Sequence, residues 1–411
     1  MIKIDIEAML RVERLVKRIE NDIMMIRKGR RFVYRKVPMV KANKEMILKL
    51  DSEYRSNNAS PHTRFFYLNA LRNFALFIKN PLDKVTKEDI IKYINYLSNN
   101  GMNETSVENY KMGLRHFYLW LNGNGEYPEN VKWMKAKVKG KIKTPDMMLT
   151  EEEIRRMIDV ADNPRDKAIL ITLLESGCRL EEFKNIKIKD LDFDKYGCKI
   201  TVSGKTGTRI VRLVHSVPYL KQWINCHPNS KPENYLWVIT THFHPKHFGM
   251  PLGRSGIYLL IQRLKKLAGI NKRVHPHLFR HTRASQLLSK YPISEIIVKK
   301  AMGWVEDSSM IRQYVHVSNK DIDNAMLTKV YGKKIEEEKE EKSKLEPIKC
   351  IKCKTENPAS NRFCFKCFYP LDSTAVMEMD KKEKEFLNML TPEMIEQMIQ
   401  KKVEEMLKRR K

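Results

Sequence analysis

The sequence predicts a multidomain chain: an all-α domain, a mixed α+β domain, a small cysteine module and a closing amphipathic helix. Three patterns support this. Apolar residues recur at helical spacing through 60–122, the following stretch flanks a strand–turn–strand pattern with helical runs, and four of seven cysteines crowd into residues 350–367. A length of 411 residues leaves room for two or three domains, and 42% hydrophobic with 9% aromatic residues excludes wholesale disorder.

Taken in order, residues 1–45 read as a basic helical extension in which RKGRRFVYRK forms a dense cationic run before Pro38. A helical domain follows over 46–125. Its first clear helix starts after Ser60 with PHTRFFYLNALRNFALFIKN and stops at Pro81. A second begins at the capping box of Thr86 and runs to Gly101, and a third begins near Thr105 with Glu108 three residues on. Residues 126–146 combine turn residues, closely spaced lysines and a proline, which suits a basic linker. The mixed domain, 147–332, opens on a second capping box, Thr150 to Glu153. Within it, KITV and RIVRLV flank SGKTGT, a hairpin with a loop longer than the tightest type. Residues 333–347 form a charged spacer, helical or disordered. The cysteine module spans 348–371, and 372–411 carries one apolar helical stripe at Leu387, Leu390, Met394, Met398, Val403 and Met406.

The 78 basic and 50 acidic residues give a net charge of +28. Nineteen basic and sixteen acidic residues leave only +3 in 333–411, so +25 belongs to residues 1–332. A body this basic favours polyanions, with nucleic acid the first expectation. No run approaches the roughly 18 apolar residues of a membrane span, and the first twenty residues mix both charge signs where a signal peptide is apolar. A cytosolic protein without membrane attachment is expected.

Four segments of 147–332 carry chemistry. ESGCRLEEF holds Arg179 just after a helix-breaking Gly177, with Glu182 one turn on; SGKTGT offers Lys205 between glycines. HPHLFRHTRAS puts His277 and Arg280 on one helical face next to Pro276, at a helix N-terminus suited to anions. AMGWVEDSSMIRQYVHV carries Trp304 and, ten residues later, Tyr314. In this order and these contexts, Arg179, Lys205, His277, Arg280, Trp304 and Tyr314 resemble the tyrosine recombinases, the phage-integrase and Xer family. The resemblance implies a SAM-like core-binding domain for the helical module and the family's catalytic domain for 147–332.

By that resemblance the two arginines grip the scissile phosphate and Lys205 protonates the departing 5′ oxygen. His277 assists proton transfer, Trp304 stands where most relatives have a second histidine, Glu182 supports the site, and Tyr314 attacks to form a 3′-phosphotyrosyl intermediate. The chemistry fits the residue types. Guanidinium groups neutralise a phosphodiester with bidentate geometry, and a phenol of pKa near 10 needs a base or cation close by. Transesterification conserves the bond energy, so no ATP, catalytic metal or other catalytic cofactor is called for. Singly, each residue has an ordinary role: Arg179 a surface ion pair, Lys205 an exposed turn lysine, Trp304 a core aromatic, while Tyr291 and Tyr331 compete with Tyr314. Order and context favour the set. His275, His281 and His316 are assigned to packing or support.

The implied partners are double-stranded DNA, encircled by the two domains, and three further protomers, giving a tetramer on two duplexes in a prokaryotic cytoplasm at the nucleoid. A helix over 319–331 would dock on a neighbour. A type IB topoisomerase and a DNA-binding regulator without activity are the alternatives. Cys350, Cys353, Cys364 and Cys367 form C-x2-C-x10-C-x2-C, which resembles a zinc ribbon and predicts one structural Zn²⁺. Phe363, Phe365, Phe368 and Tyr369 between the knuckles suit a minimal core.

Overall fold

The chain divides into two units, residues 1–140 and 141–411. The computed structural model describes residues 6–28, 31–134, 145–204, 207–240, 245–289, 291, 293–308, 310–311, 314, 331, 343–389, 391, 396 and 400.

In the first unit, helix α1 (Ile6–Glu20) ends where Asp22 turns to a positive φ of 56°, and an antiparallel hairpin follows, β1 (Ile23–Lys28) with β2 (Arg31–Lys36). This corrects the helical reading of 1–45. The register Lys28↔Arg31 leaves two residues, Gly29 and Arg30, between the strands, the loop length that favours a tight hairpin and glycine. Four helices form the body: α2 (Lys41–Ser56), α3 (Pro61–Ile78), α4 (Lys87–Asn99) and α5 (Glu104–Leu121), with a short α6 (Glu129–Lys132). Ser60 caps α3 through the Thr63 amide with Pro61 in its first turn, and Thr86 caps α4 in the expected box with Asp89. The third cap differs from expectation. Asn103, not Thr105, accepts from the Ser106 amide at 2.9 Å, and Glu108 instead pairs with Lys111.

The apolar faces of these helices meet around Ile47, Leu68, Leu71, Phe74, Ile90, Leu114 and Phe117, all buried. A Cβ on Gly113 would come within 2.8 Å of the Ala70 Cβ, so the glycine permits the close approach of α3 and α5. The buried Asp51 receives a two-pronged hydrogen bond from Arg64 at 2.8 and 2.9 Å, which satisfies a charge that would otherwise be costly to bury.

The second unit is mixed. Its helices α7 (Glu151–Asp159), α8 (Pro164–Ser176) and α9 (Leu180–Lys184) lead into a three-stranded antiparallel sheet of order β3 (Leu191–Asp194), β4 (Gly197–Gly204) and β5 (Gly207–Leu213). Helices α10 (Val217–Asn225), α11 (Arg254–Leu267), α12 (Pro276–Ser289) and α13 (Glu295–Met302) follow. Thr150 and Glu153 form the expected box at α7. Helix α8 is buried along almost its whole length and runs through the core, where Phe183 stacks on Trp237 at 4.8 Å. The β4–β5 loop is shorter than expected: Gly204 pairs with Gly207, with φ at Gly207 of 103°, so only two residues separate the strands.

Beyond residue 342 the chain lies against the same unit. Leu345 is buried in its core, Ser343 and the Lys344 amide reach Glu151, and the Lys344 ammonium pairs with Glu152 at 2.8 Å. This end of the expected spacer is thus anchored. The strands β6 (Ile348–Lys349) and β7 (Glu356–Asn357) pair in the cysteine module, which precedes α14 (Ser373–Met389). The stripe residues Leu390, Met394, Met398, Val403 and Met406, and the side chain of Leu387, lie outside the described residues, as do 319–330 and His316.

Candidate active site

The site gathers around the C-terminal end of α13. Glycine ends α8: Gly177 adopts φ 55° and reverses the chain so that Arg179 becomes the residue preceding α9. From there its guanidinium donates to Glu182 Oε1 at 2.8 Å and to the Gly303 carbonyl at 2.9 Å, while Glu182 Oε2 accepts from the Arg179 amide. Arg280, in α12, is 3% exposed and donates to the carbonyls of Gly177 at 2.7 Å and Met302 at 2.6 Å. Burial, then the charge of Arg179, lowers its pKa to about 10, so it remains a cation at neutral pH. A guanidinium has five N–H groups, and these two carbonyl contacts leave others for an anion.

Tyr314 is 2% exposed. Its hydroxyl shares a hydrogen bond with His281 Nδ1, and its ring stacks on Trp304 with centroids 5.7 Å apart at 14°. The Arg280 guanidinium carbon stands 5.8 Å from the Trp304 centroid. Burial pushes the phenol up to about 12, with the charge of Arg280 pulling the other way. His277 is exposed and meets His281 edge to face at 4.4 Å. His275 accepts from the Leu278 amide at the start of α12. The rival tyrosines are at the surface, Tyr291 at 47% and Tyr331 at 64% exposure.

Arg179, Glu182, His277, Arg280, Trp304 and Tyr314 therefore lie in one connected cluster, whereas Lys205 lies outside the described residues. Two members were not singled out for contact with the reacting groups. His281, assigned to packing or support, touches the Tyr314 hydroxyl directly. Arg209, in β5, donates to Glu182 Oε2 at 2.8 Å and to the Ala301 carbonyl at 3.0 Å. A signal for it existed: alternation along β5 puts Arg209 on the inward face with Val211 and Leu213. Burial alone would raise the Glu182 carboxyl, but hydrogen bonds from Arg209 and Arg179 outweigh it and hold the group below the usual carboxylate range.

A second cluster lies in the C-terminal module. The sulfurs of Cys350, Cys353, Cys364 and Cys367 all lie within 4.8 Å of one another, with Cys350 and Cys367 3.6 Å apart and Cys353 and Cys364 3.5 Å apart. These four residues could hold a metal ion.

Residues 147–321 match the model of the phage integrase family, and residues 46–125 match that of the phage integrase N-terminal SAM-like domain. The chain is 29% identical over 286 residues to a tyrosine recombinase of Pseudothermotoga lettingae, covering 67% of this chain and 96% of that protein. It is 31% identical over 297 residues to tyrosine recombinase XerC of Staphylococcus aureus, covering 67% and 90%. Among solved structures it is similar to the Tn1549 transposon integrase in complex with transposon right end DNA. The TM-score is 0.57 at 17% identity, over 71% of this chain and all of that one, a likeness of fold.

Proposed function

The chain belongs to the phage-integrase family of tyrosine recombinases, and we propose that it cuts and rejoins DNA at specific sites through a phosphotyrosyl bond to Tyr314. It is thus a DNA strand-transfer enzyme. The observation that carries this reading is the gathering of two guanidinium groups, Arg179 and Arg280, at the end of α13 beside the Trp304 ring that stacks on Tyr314.

The steps balance on groups of this chain. Arg179 and Arg280 bind the non-bridging oxygens of the scissile phosphate and offset its charge, which lets an electron-rich oxygen approach. The Tyr314 oxygen attacks phosphorus. Its proton passes to a base, and His281 is already hydrogen-bonded to that hydroxyl, with His277 against its ring. The bond from phosphorus to the 5′ oxygen breaks, and Lys205 supplies the proton that this leaving group takes up. The reverse attack by a 5′ hydroxyl of another strand restores the DNA and frees Tyr314. The partner is double-stranded DNA, drawn to the +25 carried by residues 1–332, and four protomers assemble on two duplexes.

Cys350, Cys353, Cys364 and Cys367 hold one structural Zn²⁺ in this proposal. Four thiolates at the usual Zn–S distance of about 2.3 Å stand about 3.8 Å apart, which suits the spacing of these sulfurs. With every position taken by sulfur, the ion has no place for a reacting water.

The test is a supercoiled plasmid with two copies of the target site, selected from genomic fragments that the protein retains. Deletion or inversion of the intervening DNA is the expected product. Relaxation without strand exchange would replace the recombinase reading with that of a type IB topoisomerase.

A further inference from the structure

Three consecutive carbonyls close α13, and each accepts from a different arginine. Arg209 Nε donates to Ala301 at 3.0 Å, Arg280 Nη2 to Met302 at 2.6 Å, and Arg179 Nη2 to Gly303 at 2.9 Å. The last carbonyls of a helix lack intrahelical donors and carry the negative end of its dipole, so this end is a natural seat for cations. Only two of these arginines have a part in the proposed chemistry. The third, Arg209, is also tied to the first: one Glu182 oxygen takes Arg209 and the other takes Arg179, both at 2.8 Å. The result is a closed ring of Arg209, Glu182, Arg179 and the 301–303 backbone. Its side chains are 12% exposed at Arg209, 1% at Glu182 and 32% at Arg179, so water weakens the Arg209–Glu182 bond little.

Gly303 completes the ring. Its φ is 62°, and a Cβ there would stand 2.8 Å from Arg209 Nη1 and 3.1 Å from Arg209 Cζ, so the Arg209 guanidinium rests against the bare backbone that carries the Arg179 acceptor. On the reading of the site given above, we propose that Arg209 is a positioning residue. Through Glu182 and the Ala301 carbonyl it fixes the direction of the Arg179 guanidinium and the end of α13 from which Trp304 extends. Without Arg209, Glu182 keeps one arginine rather than two, and its carboxylate is free to turn and carry Arg179 with it.

The experiment is single-turnover cleavage of a nicked duplex bearing the target site, with full-length protein at saturating DNA, alongside DNA affinity. Arg209→Ala should cleave about 10–100-fold more slowly, by analogy with removal of the hydrogen-bond partners that orient metal ligands, with the half-saturating DNA concentration within about two-fold of wild type. Glu182→Gln should lose a similar amount, and the double variant should be no more than about two-fold slower than the slower single, because both act through one ring. Gly303→Ala, which keeps Arg209 but crowds it, should reproduce the loss and stands in if Arg209→Ala does not fold. Cleavage by Arg209→Ala within about two-fold of wild type, multiplicative losses in the double variant, or a defect confined to DNA affinity would each overturn the proposal. A wild-type protein that forms no covalent adduct would instead sink the recombinase reading and the role of Arg209 with it.

Discussion

Among single residues, Arg179 is the cleaner probe of the phosphate clamp: its side chain is 32% exposed, whereas Arg280 is buried and also ties the ends of α8 and α13 together. Arg179→Ala should slow single-turnover cleavage by about 10²–10³-fold, as removal of one preorganised charge-stabilising donor does; a rate within a few-fold of wild type would remove it from the clamp. Glu182 makes a prediction in pH. Its folded-state pKa lies below the ordinary 4.5, so its contribution to stability is present above that value and is lost as pH falls through the depressed one. The stability gap between wild type and Glu182→Gln, followed by denaturant unfolding, should therefore narrow on acidification below pH 4.5 and stay constant above it. Arg179, His277, Arg280, Trp304 and Tyr314, which the structure brings into one cluster, stand out in the sequence by motif order alone. For Arg209, alternation could mark only an inward-facing side chain; its partners Glu182 and Ala301 lie 27 and 92 residues away and only the fold joins them.

At the level of elements, capping chemistry was the most readable feature. Thr86 and Thr150 form the boxes that their spacing announced, because the cap, the amide and the returning carboxylate all lie within four residues. The hairpin of β1 and β2 escaped because a short basic and apolar run satisfies helical and strand patterns alike. A link that no local pattern reveals lies just ahead of α10. The buried Glu175 of α8 accepts from the amides of Val214 and His215 at 2.7 and 3.0 Å, from the Ser216 amide at 2.8 Å and from the Ser216 hydroxyl. Those donors stand 39 to 41 residues away in sequence and just ahead of a helix N-terminus, where a carboxylate is favoured. Glu175→Ala should cost about 3 kcal/mol, since it strips the buried Ser216 amide and hydroxyl and two part-buried amides of a charged acceptor. Equilibrium denaturation measures this, and a loss under about 1 kcal/mol would mean that water or a neighbour replaces the carboxylate.

For the whole molecule, charge, the helical body, the mixed domain and the cysteine spacing were all visible in the sequence, and what it hid was how the carboxyl-terminal stretch lies on the second unit. Leu345 enters the core of that unit, the Ser360 amide meets the Tyr219 hydroxyl of α10 at 3.4 Å, and Arg362 pairs with Glu378 of α14 at 2.8 Å. Metal analysis of full-length protein purified under reducing conditions should find about one zinc per chain, lost on changing Cys364 and Cys367 to serine; metal-free protein would refute the cysteine cluster as a zinc site. The central claim, that the Tyr314 oxygen takes over a phosphodiester held by guanidinium groups, is tested most directly by incubating the protein with a nicked duplex carrying its target site and analysing the mixture under denaturing conditions. Wild type should yield a covalent protein–DNA adduct and Tyr314→Phe none. An adduct that persists in the phenylalanine variant, or its absence from wild type, would contradict the account.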